Sequence, residues 1–232
     1  MLGIIGAMDI EVEALYERMT ETEVRTIAGM EFHKGKLEGT EAVVVRSGIG
    51  KVNAGICSQI LADCYHVTEI INTGVAGSLK AEINIGDIVL SSTAVQHDVD
   101  AGVFSYPPGE IPGLGIREFP ADEKLLALAK ECCERVNPEI QVLTGRVASG
   151  DQFIDSKEKK TRIHDTFDAC CTEMEGAAIA QTAWLNKIPY LIIRSISDKA
   201  DDSAHMDYDV FEAKAAANSV RLVTAMAKAL SH

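Results

Sequence analysis

Tyr190-Leu191-Ile192-Ile193-Arg194-Ser195-Ile196 runs into Ser197-Asp198. Its seven residues are nearly continuous in apolar and β-branched side chains. That pattern fits a strand buried on both faces, and such strands sit in the middle of sheets covered by helices. Asp198 stands where this strand should stop.

Working outward, similar short apolar runs occur at 2–6, 42–45, 67–71, 85–95 and 142–148. Each is closed by a turn signal: Ser47-Gly48 after 42–45, Asn72-Thr73-Gly74 after 67–71, and Gly86-Asp87 inside 85–95. Helical spacing of apolar residues predicts helices over 52–61, 121–136, 174–186 and 209–230. The stretch 102–115 carries Pro107, Pro108, Pro112 and several glycines, so it reads as a long loop of the kind that serves as a lid or interface element. Alternating strands and helices indicate an α/β fold, a three-layer α/β/α sandwich on a central twisted mixed sheet. We find no linker or repeat, and expect a single domain over 1–232. In such sheets the chemistry gathers at strand ends, and polar clusters at 72–74, 149–151 and 195–198 stand there.

Bulk properties exclude several classes. With 232 residues, 47% hydrophobic and 25% charged, the chain can bury a continuous core. A net charge of −13 argues against a nucleic-acid surface. No run approaches the roughly 20 apolar residues of a membrane helix, and the opening residues do not resemble a signal peptide. These readings favour a cytoplasmic protein. Four of the six cysteines form the adjacent pairs Cys132-Cys133 and Cys170-Cys171, which suit neither disulfide nor zinc geometry, so reduced packed thiols are expected.

Familiar motifs fail one by one. Gly48-Ile49-Gly50-Lys51 lacks the earlier Gly and the following Ser or Thr of a P-loop. Gly74-Val75-Ala76-Gly77 lacks the first Gly of a dinucleotide fingerprint, although its small residues admit close approach by a ligand. His97-Asp98 has no partner histidines, so it reads as solvated strand rather than a metal site, and neither metal nor cofactor is expected. No nucleophile elbow is present. Carboxylates remain. Glu11 follows the first strand, Glu175 opens a predicted helix, and Asp198 ends the buried strand. Singly, each suits a helix N-terminus or a turn. Together at strand exits of one α/β domain they form a convergent site.

Several segments carry a resemblance. These are Gly3-Ile4-Ile5-Gly6-Ala7-Met8 with Glu11, Ser47-Gly48-Ile49-Gly50-Lys51-Val52, and Ile71-Asn72-Thr73-Gly74 with Ala76-Gly77. They continue with Gly86-Asp87-Ile88-Val89, Ser149-Gly150-Asp151 with Phe153-Ile154, Glu173-Met174-Glu175, and Arg194 with Ser197-Asp198. In this order they resemble the bacterial 5'-methylthioadenosine/S-adenosylhomocysteine nucleosidases of the nucleoside phosphorylase superfamily. The resemblance implies a nucleoside phosphorylase-like fold and hydrolysis of an adenine nucleoside, within methionine salvage. It implies that Asp198 protonates the adenine, Glu11 activates water and Glu175 grips the ribose. Arg194 would orient Glu175, Ser197 would place Asp198, and Met174 would pack on the ribose. Phe153 would stack on the purine and Ile154 would offer its backbone. Val75, Ala76, Gly77 and Glu173 would also line the site. Met8 and Tyr208 would touch the 5' substituent, and Phe104, Tyr106 and Pro112 would reach in from the partner of a homodimer. Without the resemblance Met8, Phe153 and Met174 are ordinary core residues. Val75, Ser195 and Tyr208 depart from the family pattern of Ser, Ala and Phe.

Rival readings on the same fold are a phosphorylase, which needs cations for its phosphate, a futalosine-type hydrolase, and a non-catalytic nucleoside binder. Arg46 keeps the first open. The three carboxylates argue against the last, since a binder has no need of a base.

Overall fold

The computed structural model describes residues 1–231, and among these ten strands and six helices alternate. In chain order they are β1 (Leu2–Gly6), α1 (Asp9–Tyr16), β2 (Met19–Ile27), β3 (Met30–Leu37), β4 (Thr40–Arg46), α2 (Lys51–Tyr65), β5 (Glu69–Ser78) and β6 (Ile88–Gln96). There follow β7 (Glu118–Pro120), α3 (Glu123–Val136), β8 (Val142–Ser149), α4 (Lys157–Phe167), β9 (Cys171–Glu173), α5 (Gly176–Asn186), β10 (Tyr190–Asp198) and α6 (Ala204–Ala229). No described helix is long and apolar enough to cross a membrane.

All ten strands join one mixed sheet. β10 lies between β5, which it pairs in parallel, and β6, which it pairs antiparallel. All nine of its residues are buried, as the opening stretch of sequence required. Successive side chains point to opposite faces. Tyr190 and Ile192 enter the core shared with Leu61, Ile179 and Ala183 of α2 and α5. Leu191 and Ile193 enter the core shared with Val12, Leu125 and Met226 of α1, α3 and α6. Helices therefore cover both faces. Each fully buried Leu or Ile contributes about 1.5–3 kcal/mol of hydrophobic stabilisation.

Two features were not expected. The strands β5, β10, β6, β8 and β9 pair in a closed ring, because β9 bridges β8 and β5 while β10 bridges β5 and β6. The ring makes a rigid wall whose rim collects the strand ends. The strands β1, β4, β3 and β2 extend from β5 as an open arm.

Some boundaries shift for identifiable reasons. The strand expected over 67–71 runs instead from Glu69 through Ser78. Asn72-Thr73-Gly74 does not stop it, because the Asn72 side-chain amide donates to the Ile5 carbonyl at 3.0 Å and its polar groups are satisfied inside the sheet. The helix expected over 209–230 begins at Ala204. Residues 97–98 are not solvated strand. β6 ends at Gln96, and the Asp98 carboxylate accepts from Lys51 Nζ at 2.5 Å and from the Asp151 N–H at 2.9 Å. The six cysteines are free, and all but Cys64 are buried.

Candidate active site

At the rim a cavity of about 240 Å³ is walled by residues from the turn after β1, α1, the turn before α2, β5, the loop after β8, β9 and the turn after it, β10 and α6. Glu11, Glu175 and Asp198 all line it and are 2%, 5% and 3% exposed. Each owes its place to a local device.

Glu11 is the third residue of α1, and its carboxylate folds back over the helix start. Oε2 accepts the Ala7 and Met8 amides at 2.6 and 3.1 Å. Such a return contact to the N-cap amide is half of a capping box. Oε1 reaches across to the Val75 amide of β5 at 3.0 Å. The helix-capping role and the site role thus coexist in one side chain. Burial pushes its carboxyl above the ordinary range, against the pull of Arg194 and of the three amides.

Glu175 occupies the N-cap position of α5, yet its side chain does not cap that helix. Capping falls to Glu173, whose Oε2 accepts the Glu175 and Gly176 amides at 3.2 and 2.8 Å. Glu175 is thereby free to accept the Gly50 N–H at 2.8 Å. Behind both carboxylates lies Arg194, 1% exposed. It bonds directly to Glu173 and, at 2.6 Å, to Asn72 Oδ1, and stands 3.8 Å from Glu175. Burial and the neighbouring Glu173 push the Glu175 carboxyl up to about 7, against Arg194 and the Gly50 amide. The expectation that Arg194 orients Glu175 is refined: its shortest contacts are to Glu173 and Asn72.

Gly74 makes this packing possible. A Cβ there would collide with Arg194 Nη1 and lie 2.5 Å from Glu11 Oε1. Gly74→Ala is therefore expected to cost about 3 kcal/mol, the upper end for overpacking, and to lower Tm by roughly 10 °C in a thermal melt.

Asp198 closes β10 just past a register irregularity against β5. Such bulges re-aim a side chain. Oδ2 accepts the Ser197 hydroxyl and Oδ1 the Ala200 amide, both at 2.8 Å. Gly77 leaves room for it, since a Cβ there would lie 2.7 Å from Oδ1. Burial raises its carboxyl, against these two donors and helped by Asp207 and Asp201.

The rest of the wall is mostly apolar. Val75, Ala76, Gly77, Phe153, Ile154, Met174, Met8 and Tyr208 line the cavity, as do Glu173 and Ser197. The Phe153 and Tyr208 rings meet edge to face with centroids 5.8 Å apart. The Tyr208 hydroxyl donates to Glu212 at 2.6 Å and touches Met8 Sδ at 3.2 Å. Phe104, Tyr106 and Pro112 do not line the cavity of their own chain, and Phe104 is 75% exposed. Ala7, Ile49, Gln152 and Thr172 also line it and were given no role from sequence. Ala7 and Ile49 stand inside quoted segments and Gln152 and Thr172 border them, which was the available signal. Ser149, quoted in a polar strand-end cluster but given no role, donates to Glu173 and accepts the Ala177 amide at 2.7 Å.

No Lys, Arg or His is among the lining residues. Arg46 pairs with Asp9 at 3.2 Å on the surface. Two amides of the Gly48-Ile49-Gly50-Lys51 turn are spent on carboxylates, Gly50 on Glu175 and Lys51 on Asp151. No cluster of described residues suits a metal ion.

Known proteins resemble this chain over nearly its whole length. Residues 1–228 match the family described as the phosphorylase superfamily. A 5'-methylthioadenosine/S-adenosylhomocysteine nucleosidase of Bacillus thuringiensis is 40% identical, over 96% of each chain. The Neisseria meningitidis enzyme of the same name, solved in complex with methylthio-immucillin-A, superposes with a TM-score of 0.95 at 36% identity over 98% of each chain. A futalosine hydrolase of Helicobacter pylori superposes with a TM-score of 0.92 at 37% identity, covering 97% of this chain and 96% of its own.

Proposed function

Since this chain belongs to the phosphorylase superfamily, and within it to the 5'-methylthioadenosine/S-adenosylhomocysteine nucleosidases, we propose that it hydrolyses the N-glycosidic bond of these two nucleosides, releasing adenine and the 5'-substituted ribose. One observation carries the reading: four buried carboxylates, Glu11, Glu173, Glu175 and Asp198, line a single pocket that no cation lines. That electrostatic setting repels phosphate and suits water as the nucleophile.

A purine leaves poorly as an anion. Asp198, whose carboxyl burial raises, serves as the acid that gives a proton to the adenine ring nitrogen N7 as the C1'–N9 bond breaks. The sugar gains oxocarbenium character, and Glu175 beside the ribose hydroxyls stabilises that charge more in the transition state than in the ground state. Glu11, held by three amides, takes the proton of the attacking water. A base whose pKa is lifted toward the working pH is better suited to that transfer than an ordinary carboxylate. Phe153 stacks on the purine, Ile154 meets its edge, Met174 packs on the ribose, and Met8 with Tyr208 bounds the 5' tail. The apolar wall formed by Val75, Ala76 and Gly77 completes the pocket.

We also assign a homodimer whose 102–115 loop brings Phe104, Tyr106 and Pro112 to the neighbouring site. The support is an exposed apolar set, Ile49, Val52 and Ile56 on and before α2 and Val103 and Phe104 on the loop, more than 40% exposed in each case. Exposed apolar side chains in such number favour an interface. Light scattering is expected to give twice the chain mass of 25.0 kDa, and Phe104→Ala to raise KM; a fully active monomer would contradict the shared site. Six unpaired cysteines fit a reducing, cytoplasmic setting.

The likeness to a futalosine hydrolase supports a second reading, hydrolysis with a larger 5' substituent. Comparing kcat/KM for 5'-methylthioadenosine, S-adenosylhomocysteine and futalosine tests the choice. The first two are expected to exceed the third by at least tenfold; the reverse order would transfer the assignment.

A further inference from the structure

Three segments meet beside the pocket through side chains that do not line it. Lys51 comes from the start of α2, Asp98 from just past β6 and Asp151 from the loop after β8. The Lys51 ammonium donates to Asp98 Oδ1 at 2.5 Å and to Gln96 Oε1 at 2.9 Å. Asp98 Oδ2 accepts the Asp151 N–H at 2.9 Å. Asp151 Oδ1 accepts the Lys51 N–H at 2.8 Å. These bonds close a ring. The Lys51 and Asp98 side chains are 17% and 16% exposed, so solvent screens the pair only weakly. Charge-assisted bonds of this kind are about twice as strong as neutral ones.

The ring touches both ends of the proposed machinery. The residue before Lys51 is Gly50, whose N–H donates to Glu175. Gly50 has φ of +99°, and a Cβ on it would lie 3.2 Å from Asp151 Oδ1, so the turn and the loop are fitted to each other. Just beyond Asp151 are Gln152, Phe153 and Ile154, which line the pocket.

We propose that Lys51, Asp98 and Asp151 are positioning residues that hold the Gly50 amide on Glu175 and fix the 151–154 loop in the same act, setting the sugar and base ends of the pocket as one unit. The proposal rests on the ribose role given above to Glu175. Without the ring the turn before α2 and the 151–154 loop move independently, and the Gly50 donor leaves its acceptor. A misplacement of about 1 Å at such a contact can cost about 10²-fold in rate.

The test uses the full chain with Lys51→Met, Asp98→Ala, the double variant, Asp151→Ala and Asp151→Asn. Two readouts are taken: kcat and KM for 5'-methylthioadenosine, and hydrogen exchange of segments 47–53 and 150–155 without ligand. Each single break is expected to lower kcat/KM by about 10–100-fold, mainly through kcat. The double variant should fall no lower than the worse single one, because a ring is opened by any one break. Asp151→Asn should recover most of what Asp151→Ala loses, since its carboxamide oxygen still accepts the Lys51 N–H. Exchange should quicken in both segments together, with β1 and α6 unchanged. Losses that multiply in the double variant, or an Asp98→Ala protein whose 47–53 segment keeps its protection, would overturn the proposal. Asp151 is exposed, so its two variants decide the question even if a more buried break unfolds the chain. The exchange readout does not depend on turnover, so a wild-type chain that releases no adenine would count against the functional reading alone.

Discussion

Asp198→Asn is expected to lower kcat for 5'-methylthioadenosine by about 10²–10⁴-fold, the range for loss of a general acid. KM should change little. The carboxamide oxygen can still accept the Ala200 amide that now bonds Asp198. Its NH2 group can still donate a hydrogen bond to the purine. What disappears is a proton that can be given up. Loss of kcat at constant KM marks an interaction made only in the transition state. Steady-state kinetics beside an adenine titration checks this. A methylthioribosyl substrate whose leaving group needs no proton, such as 4-nitrophenolate, should be cleaved by the variant at close to the wild-type rate. An equal loss on both substrates would remove Asp198 from the acid role.

Glu175→Gln is expected to move activity and stability in opposite directions. Activity should fall by about 10²–10³-fold, as when one preorganised electrostatic group is removed. Stability should rise at alkaline pH. Burial and Glu173 lift the Glu175 carboxyl from 4.5 to about 7 in the folded state. The folded protein therefore binds a proton that the unfolded chain has released, and stability falls as pH climbs between these two values. Below pH 4 both states hold the proton and the site costs nothing. At pH 8 neither holds it, and the penalty of the buried charge is fully present, on the order of 3 kcal/mol at about 1.4 kcal/mol per pH unit. Glutamine cannot ionise and can still accept the Gly50 N–H. Its Tm should exceed wild type by several degrees at pH 8 and match it near pH 4. A variant less stable than wild type at pH 8 would show that the Arg194 pairing outweighs desolvation.

These two residues, with Glu11, were legible in the sequence because each stands next to a strong strand or helix signal. β10 declares itself by seven nearly continuous apolar residues, and Asp198 by ending it. Arg194 was conspicuous as the one charge among those seven residues, yet its partners were not readable. Glu173 and Asn72 reach it from β9 and β5, and Ser149 of β8 reaches Glu173, through pairings between residues 21 to 122 positions apart that no local pattern encodes. β2 left no signal for a related reason. Seven of its nine residues are exposed, so it lacks an apolar period and is held by its ladder to β3. β5 hid its true length behind Asn72-Thr73-Gly74, which read as a stop and is instead the polar floor on which Arg194 and Glu11 pack. The closed ring of strands follows from the three-residue β9, too short to be recognised alone. The carboxylates were visible in sequence, whereas the pairings that hold them in place became visible only in the fold.

The most direct measurement is the identity of the sugar product. The protein is incubated with 5'-methylthioadenosine in buffers with and without phosphate, and the products are separated by mass. Adenine and free 5-methylthioribose are expected, at a rate indifferent to phosphate, because a pocket lined by Glu11, Glu175 and Asp198 and by no cation selects water. Formation of 5-methylthioribose 1-phosphate, at a rate that grows with phosphate, would contradict the account and take the base role from Glu11.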